Sequence, residues 1–325
     1  MNAPKCTEYD YINFLVAAQQ VFSTVEASRS HPDGEEKPAH DAYTRLLQRL
    51  PPDSEALWTE VRACIELNQG LLMIDDTTLD KPYASAMALV SRHWSGKHHD
   101  VVQGINLMSL AWSDGDACLP CDYRVYHKEQ DGLSKNDHFR AMLQQAHTRG
   151  FRPSLVAFDS WYSSLENLKL VRGLGWEWLT RLKRNRQVSL SAGQQQAVSA
   201  LDIPSSGLTV HLRGYGLVKV FRTVDPHGNA EHWATSRLDM TDAQRQLLAD
   251  RAWLVEVYAP SSSSPALSAG SFASSVRSAT TSVWRCVRMC AWNFIAGALV
   301  SRSLTASSTS FALQFDIIWR IPPIA

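Results

Sequence analysis

Three carboxylates at the ends of two apolar runs are the residues best placed to do chemistry in this chain. Leu71-Leu72-Met73-Ile74 leads into Asp75-Asp76-Thr77-Thr78, and Ser154-Leu155-Val156-Ala157-Phe158 leads into Asp159. An unbroken apolar run of this length reads as a buried strand, and such strands seldom end on acids without a use for them. Two of them, each delivering an aspartate at its C-terminal edge, describe a paired-carboxylate metal site. Hard oxygen ligands favour magnesium or manganese over zinc. Asp75 and Asp76 are adjacent, so in an extended strand they point to opposite faces and only one is the principal ligand.

These acids need a scaffold, and the composition permits one. The chain has 325 residues, 45% hydrophobic and 20% charged, as expected of an ordinary globular protein with one large domain or two modest ones. The first residues carry acids where a secretory leader would have basic and then apolar ones, and no apolar run reaches the ~18 residues of a membrane span. The expectation is a cytosolic, non-membrane protein. Net charge is zero, so a nucleic-acid surface has to be local. Cys118-Leu119-Pro120-Cys121 stands without a second pair or nearby histidines and reads as reduced core cysteines.

Helical spacing covers most of residues 1–66, in stretches from Tyr11, from His40 and from Ser54. At Gly70 the pattern changes. Leu71 to Asp75, Val101 to Trp112 and Leu119 to Tyr126 read as strands, Asn136 to Gly150 as a helix, and Leu155 to Phe158 as a strand. Ser164 to Leu174 is a helix and Trp176 to Leu182 a strand, which gives the order β-β-β-α-β-α-β: an antiparallel meander, then crossover-connected strands. Residues 187–240 alternate with period two around a turn at Asp225-Pro226-His227-Gly228, which predicts a mostly β subdomain outside the core sheet. Asp242 to Tyr258 returns to helix, with Thr241 as N-cap.

Laid out in this way, the chain resembles the DDE transposases of bacterial insertion sequences over about residues 70–258. Leu71 to Thr78 is similar to the first catalytic strand of that family, and Val156-Ala157-Phe158-Asp159-Ser160-Trp161-Tyr162 to the second. Trp253-Leu254-Val255-Glu256-Val257-Tyr258 is similar to the helical segment that supplies the third acid. The resemblance implies an α/β, RNase H-like mixed sheet flanked by helices, with a β-rich insertion at 187–240 and an N-terminal helical region, 1–66, that helps bind DNA. It also implies cleavage at element ends and strand transfer into target DNA, with Asp76, Asp159 and Glu256 holding two Mg2+ (or Mn2+) ions. Asp76 is preferred because the family motif sets its acid directly before the Thr-Thr pair; Asp75 is held in reserve. DNA is the implied partner, a homodimer the implied assembly, and the cytoplasm, near the nucleoid, the implied location.

Two basic clusters could meet phosphates. Arg181, Lys183, Arg184 and Arg186 follow the fifth core strand, and Arg92, Lys97, His98 and His99 follow the first. Trp161 could stack on an unpaired base, although packing is the commoner use of such a residue.

The resemblance stops at Tyr258. From Ser261 onward there are five arginines, Asp316 as the only acid, and no lysine, with serine abundant. Where the family continues with a basic, Leu-rich helix, this chain has Ser261-Ser262-Ser263-Ser264-Pro265. Codons that permit Thr280 to Phe294 can, read one base out of frame, encode a string with helical spacing, so residues 259–325 look frameshifted. This leaves two rivals to a working transposase: an impaired relic or DNA-binding regulator of transposition, and a metal-dependent nuclease without strand transfer.

Overall fold

In the computed structural model, residues 4–7, 10–11, 14, 23–32, 37–49, 54–80, 90–95, 100–191, 193–224 and 228–252 are described. Glu256, Lys97, His98, His99, the 225–227 turn and everything after Ala252 lie outside them.

Three helices precede the sheet: α1 (Thr24–Arg29), α2 (His40–Arg49) and α3 (Ser54–Val61). Leu57, Trp58 and Val61 of α3 are buried in the main core, and α3 packs against β4 (Cys118–Tyr126). This last helix of the N-terminal region therefore packs into the body of the sheet. The Arg149 side chain pins it there: its guanidinium donates to Glu55 at 2.5 Å and to the Cys121 carbonyl at 2.9 Å, and stacks over Trp58.

Gly70 opens the sheet with φ +87°, a left-handed turn that glycine adopts at no steric cost. Beyond it run β1 (Leu71–Asp80), β2 (Ser91–Ser95), β3 (Asp100–Ser113) and β4. β3 lies antiparallel to β1 on one side and to β2 and β4 on the other, which is the expected meander with one added strand, β2. A short helix α4 (Lys128–Asp131) leads to α5 (Lys135–Thr148), β5 (Leu155–Phe158), α6 (Leu165–Gly173) and β6 (Trp178–Leu182). β1, β5 and β6 run parallel to one another, as the two helical crossovers require. Ser134 caps α5 in a reciprocal box with Asp137, and Gly150 closes it at φ +90°.

Strands β7 (Gln187–Ser189), β8 (Gln195–Ala197), β9 (Leu208–Leu212), β10 (Gly216–Val224) and β11 (Ala230–Thr235) make the insertion, followed by α7 (Asp242–Ala252). The insertion is mostly β, as its alternation predicts, but it does not stand outside the core sheet. β11 pairs antiparallel with β6, so the sheet order runs β2-β3-β1-β5-β6-β11-β10-β9-β7-β8 without a break. The physical reason is the edge: without β11, β6 would end the sheet on a row of unpaired peptide groups. Val188, Val210, Leu212, Val218 and Val220 also share the main core with residues of β1, β5 and β6.

The two faces of the sheet are distinct. Leu72, Ile74, Val156 and Phe158 face the large core beneath α5 and α6. Leu71, Met73, Leu155, Ala157 and Leu179 face a smaller one, onto which Leu248 and Ala252 of α7 pack. Cys118 and Cys121 are buried thiols, and burial, with Asp114 nearby, pushes Cys118 up to about 12.

Candidate active site

The register between β1 and β5 decides which aspartate meets which. Ile74 pairs with Phe158, so one further step along both parallel strands brings Asp75 level with Asp159. Neighbouring strands lie about 4.8 Å apart, and residues at the same level project to the same face. By the same alternation Asp75 follows Leu71 and Met73 onto the α7 face, while Asp76 follows Leu72 and Ile74 onto the α5–α6 face. Asp159 is on the α7 face by an independent sign: its Oδ1 accepts from Arg181 Nη2 at 3.1 Å. Arg181 alternates with Leu179 on that face and lies over the Trp233 ring.

Asp76 is fully engaged on the opposite face. Its Oδ1 accepts from the Tyr162 hydroxyl at 2.5 Å, and its Oδ2 from Lys135 Nζ at 2.6 Å and from Asn106 Nδ2 at 2.9 Å. Burial alone would raise this carboxyl, but the Lys135 ammonium and the three hydrogen bonds hold it below the usual carboxylate range. Burial and the neighbouring carboxylates push the Tyr162 phenol far upward, so it stays a proton donor. The preferred ligand Asp76 is thus a carboxylate already held by Lys135, Tyr162 and Asn106, while the reserve residue Asp75 shares the face of Asp159.

Asp75 Oδ1 accepts from the Asp76 amide at 2.8 Å, and the residue is partly buried within β1. Asp159 is 39% exposed in its side chain. Two aspartates at one sheet level supply the hard oxygen donors that a divalent cation takes, with Asp159 paired to Arg181. Among the described residues no group of three His, Cys, Asp or Glu side chains converges as a complete metal cage. The third acid expected from the sequence, Glu256, lies four residues beyond the described end of α7, the helix that packs over β1 and β5.

The basic cluster after the fifth core strand divides. Arg181 bridges two acids, donating also to Glu231 Oε1 at 2.9 Å. Lys183, Arg184 and Arg186 sit on the turn between β6 and β7, with Arg184 exposed. In the second cluster only Arg92, on β2, falls among the described residues. Sequence reasoning missed Glu231, Lys135, Tyr162 and Asn106. None carries a spacing signal: Asn106, Lys135 and Tyr162 reach Asp76 across 30, 59 and 86 residues, and Glu231 reaches Arg181 across 50.

A mixed sheet with helices on both faces carries Asp75 on β1 and Asp159 at the end of the neighbouring parallel strand β5. A family profile for the DDE superfamily endonucleases matches residues 11–199, more than half of the chain, and the chain belongs to that family. No curated protein matches it significantly in sequence. Its fold is similar to that of piggyBac transposase in a synaptic complex with hairpin DNA, at 10% identity and a TM-score of 0.51, covering 93% of this chain and 67% of that one. Mos1 transposase, in a paired-end complex with the left transposon end, aligns at 12% identity over 55% of this chain and 59% of its own, with a TM-score of 0.21 on which no argument rests.

Proposed function

We propose that this chain is a transposase that cuts DNA at the ends of an insertion sequence and joins them to target DNA, with Asp75 and Asp159 as its first two metal ligands and Glu256 as the third. The observation that supports this reading is the β1–β5 register: one step past the Ile74–Phe158 pair Asp75 comes level with Asp159, on the face against which α7 packs. Two divalent ions, magnesium or manganese, would stabilise charge on the attacked phosphate and activate the attacking oxygen. The protein's own part is to hold the acids at one level of a rigid sheet and to keep Asp76 out of the metal site. DNA as partner follows from the chemistry and from the cationic turn at Lys183, Arg184 and Arg186; a homodimer on two ends, and a nucleoid-associated location in the cytoplasm, follow from the task.

The test measures Mn2+ binding by calorimetry and Mn2+-dependent nicking of supercoiled plasmid. Asp75→Asn and Asp159→Asn each weaken metal binding and lower nicking by at least about a hundredfold. Asp76→Asn keeps metal binding and loses thermal stability. Unchanged Mn2+ affinity in Asp75→Asn, or loss of it in Asp76→Asn at unchanged stability, overturns the assignment.

The charge-poor composition beyond Tyr258 favours a second reading, a DNA-binding regulator or relic without strand transfer. It predicts that the full chain binds DNA yet neither nicks nor joins it, and that a frame-corrected chain does both.

A further inference from the structure

A cleft of about 470 Å³ opens immediately beside the candidate metal site. It is bounded by the turn after Asp159 (Ser160, Trp161), the start of α6, the β6–β7 turn (Lys183, Arg186) and Arg213 of the insertion. Its size falls within the usual range for small-ligand pockets. Among the described residues its lining includes three cations and no carboxylate. Trp161 is 54% exposed there, whereas Trp112 and Trp178 are fully buried. Lys183 Nζ lies 5.4 Å from the Trp161 ring centroid.

The cations have no ion-pair partner among the described residues. Among the described residues neither Lys183, Arg186 nor Arg213 pairs with an acid, while Arg181 two residues before Lys183 pairs with two. Arg186 is half-buried, and burial disfavours its charge. A desolvated guanidinium without a counter-ion is costly, and a phosphate oxygen would relieve that cost with strong, charge-assisted bonds. An exposed indole with an ammonium over it offers a stacking platform and a phosphate contact at once. Arg213 comes from the insertion, so the cleft requires the insertion to be joined to the core sheet, as it is through β11.

We propose that this cleft takes an unpaired nucleotide of the DNA strand next to the scissile phosphate, its base stacked on Trp161 and its phosphates held by Lys183, Arg186 and Arg213. Ser160 follows Asp159 directly in the chain, so a nucleotide seated on Trp161 leaves its neighbouring phosphate at the acids. The inference rests on the DNA-processing reading above but not on the metal assignment, and its test is therefore run without metal.

The full chain is titrated in EDTA buffer with a short duplex, either blunt or carrying a single-nucleotide overhang of 2-aminopurine. The expected result is tighter binding of the overhang duplex with quenching of the 2-aminopurine fluorescence. Trp161→Ala abolishes the quench and weakens overhang binding about tenfold while leaving blunt binding unchanged. Trp161→Phe restores both. Arg213→Ala weakens both substrates and lowers the salt dependence by about one phosphate contact. Equal affinity of the parent for the two duplexes, an equal loss on both in Trp161→Ala, or no binding of either overturns the proposal. Asp75→Asn and Asp159→Asn keep the quench, so a failure of the metal assignment and a failure of the nucleotide cleft are read separately.

Discussion

The Tyr162 hydroxyl donates to Asp76 Oδ1 at 2.5 Å, and this one bond ties together the two segments that carry the candidate metal ligands. Tyr162 ends the turn that begins just after Asp159, and Asp76 directly follows Asp75. Tyr162 is also stacked on Phe139 of α5, at 5.1 Å between ring centroids, so the helix layer fixes the bond in place. Tyr162→Phe keeps the stacking and removes the donor. The expected cost is about 2 kcal/mol in urea unfolding, the range for a hydrogen bond to a charged group. Nicking should fall further than this loss of stability explains, since a displacement of about 1 Å at reacting groups can cost about a hundredfold.

Lys135→Met isolates the Asp76 carboxylate. A buried charge that loses its partner costs about 3–5 kcal/mol, and the Asp76 side chain is only 18% exposed. The effect depends on pH with a definite sign. In the parent the folded-state carboxyl is held below its unfolded value, so its contribution is present at neutral pH and is lost as pH falls through that depressed value. In the variant burial acts without the ammonium, the folded-state value rises, and acid relieves the penalty. The gap between parent and variant therefore narrows as pH drops from 7 towards 4, which denaturant curves at several pH values measure.

Ser134→Ala removes the N-cap of α5, the helix whose first residue is Lys135. The expected loss is about 1 kcal/mol. Asp137, the other half of the box, is held at about 2 by its bonds to Ser134 and by Arg140. Its folded-state value lies below the unfolded one, so the box supports the helix at neutral pH and fails as pH falls from about 4 towards 2. Thermal melts across that interval should show a steeper fall for the parent than for Asp137→Asn.

Gly70→Ala tests the entry to β1. The residue has φ +87°, and an added Cβ would fall on the Trp112 indole, whose Nε1 donates to the Gln69 carbonyl at 2.8 Å. Backbone strain and a displaced core tryptophan together exceed the ordinary range of single substitutions, so a loss of about 3 kcal/mol or more is expected. A melting temperature within a few degrees of the parent would show that the turn can relax.

Much of this architecture was readable from residues alone. The strand at 155–158 and the helices begun at His40 and Asp242 lie where periodicity puts them, and Thr241 does cap α7 in a reciprocal bond with Gln244. What escaped has physical causes. β7 and β8 are three residues each, too short for a period to register. Leu71 to Ile74 are all buried, so no alternation marks which face Asp75 or Asp76 takes. Only pairing with β5 supplies that. β1 itself runs on to Asp80, since polar Thr77 and Thr78 are held by β3 rather than by any apolar pattern.

The seam between β6 and β11 sets a limit on protein engineering. An insertion joined to its host only at two chain ends could be trimmed away to leave a minimal nuclease. Here excision of residues 187–240 would strip one side of β6, take Glu231 from Arg181 and remove Tyr215 from its bond with Trp178. Shortening is tolerable at the far hairpin between β7 and β8, which lies at the end of the sheet away from the acids. A truncated tool enzyme built on this chain would have to keep the β6–β11 seam and lose length only there.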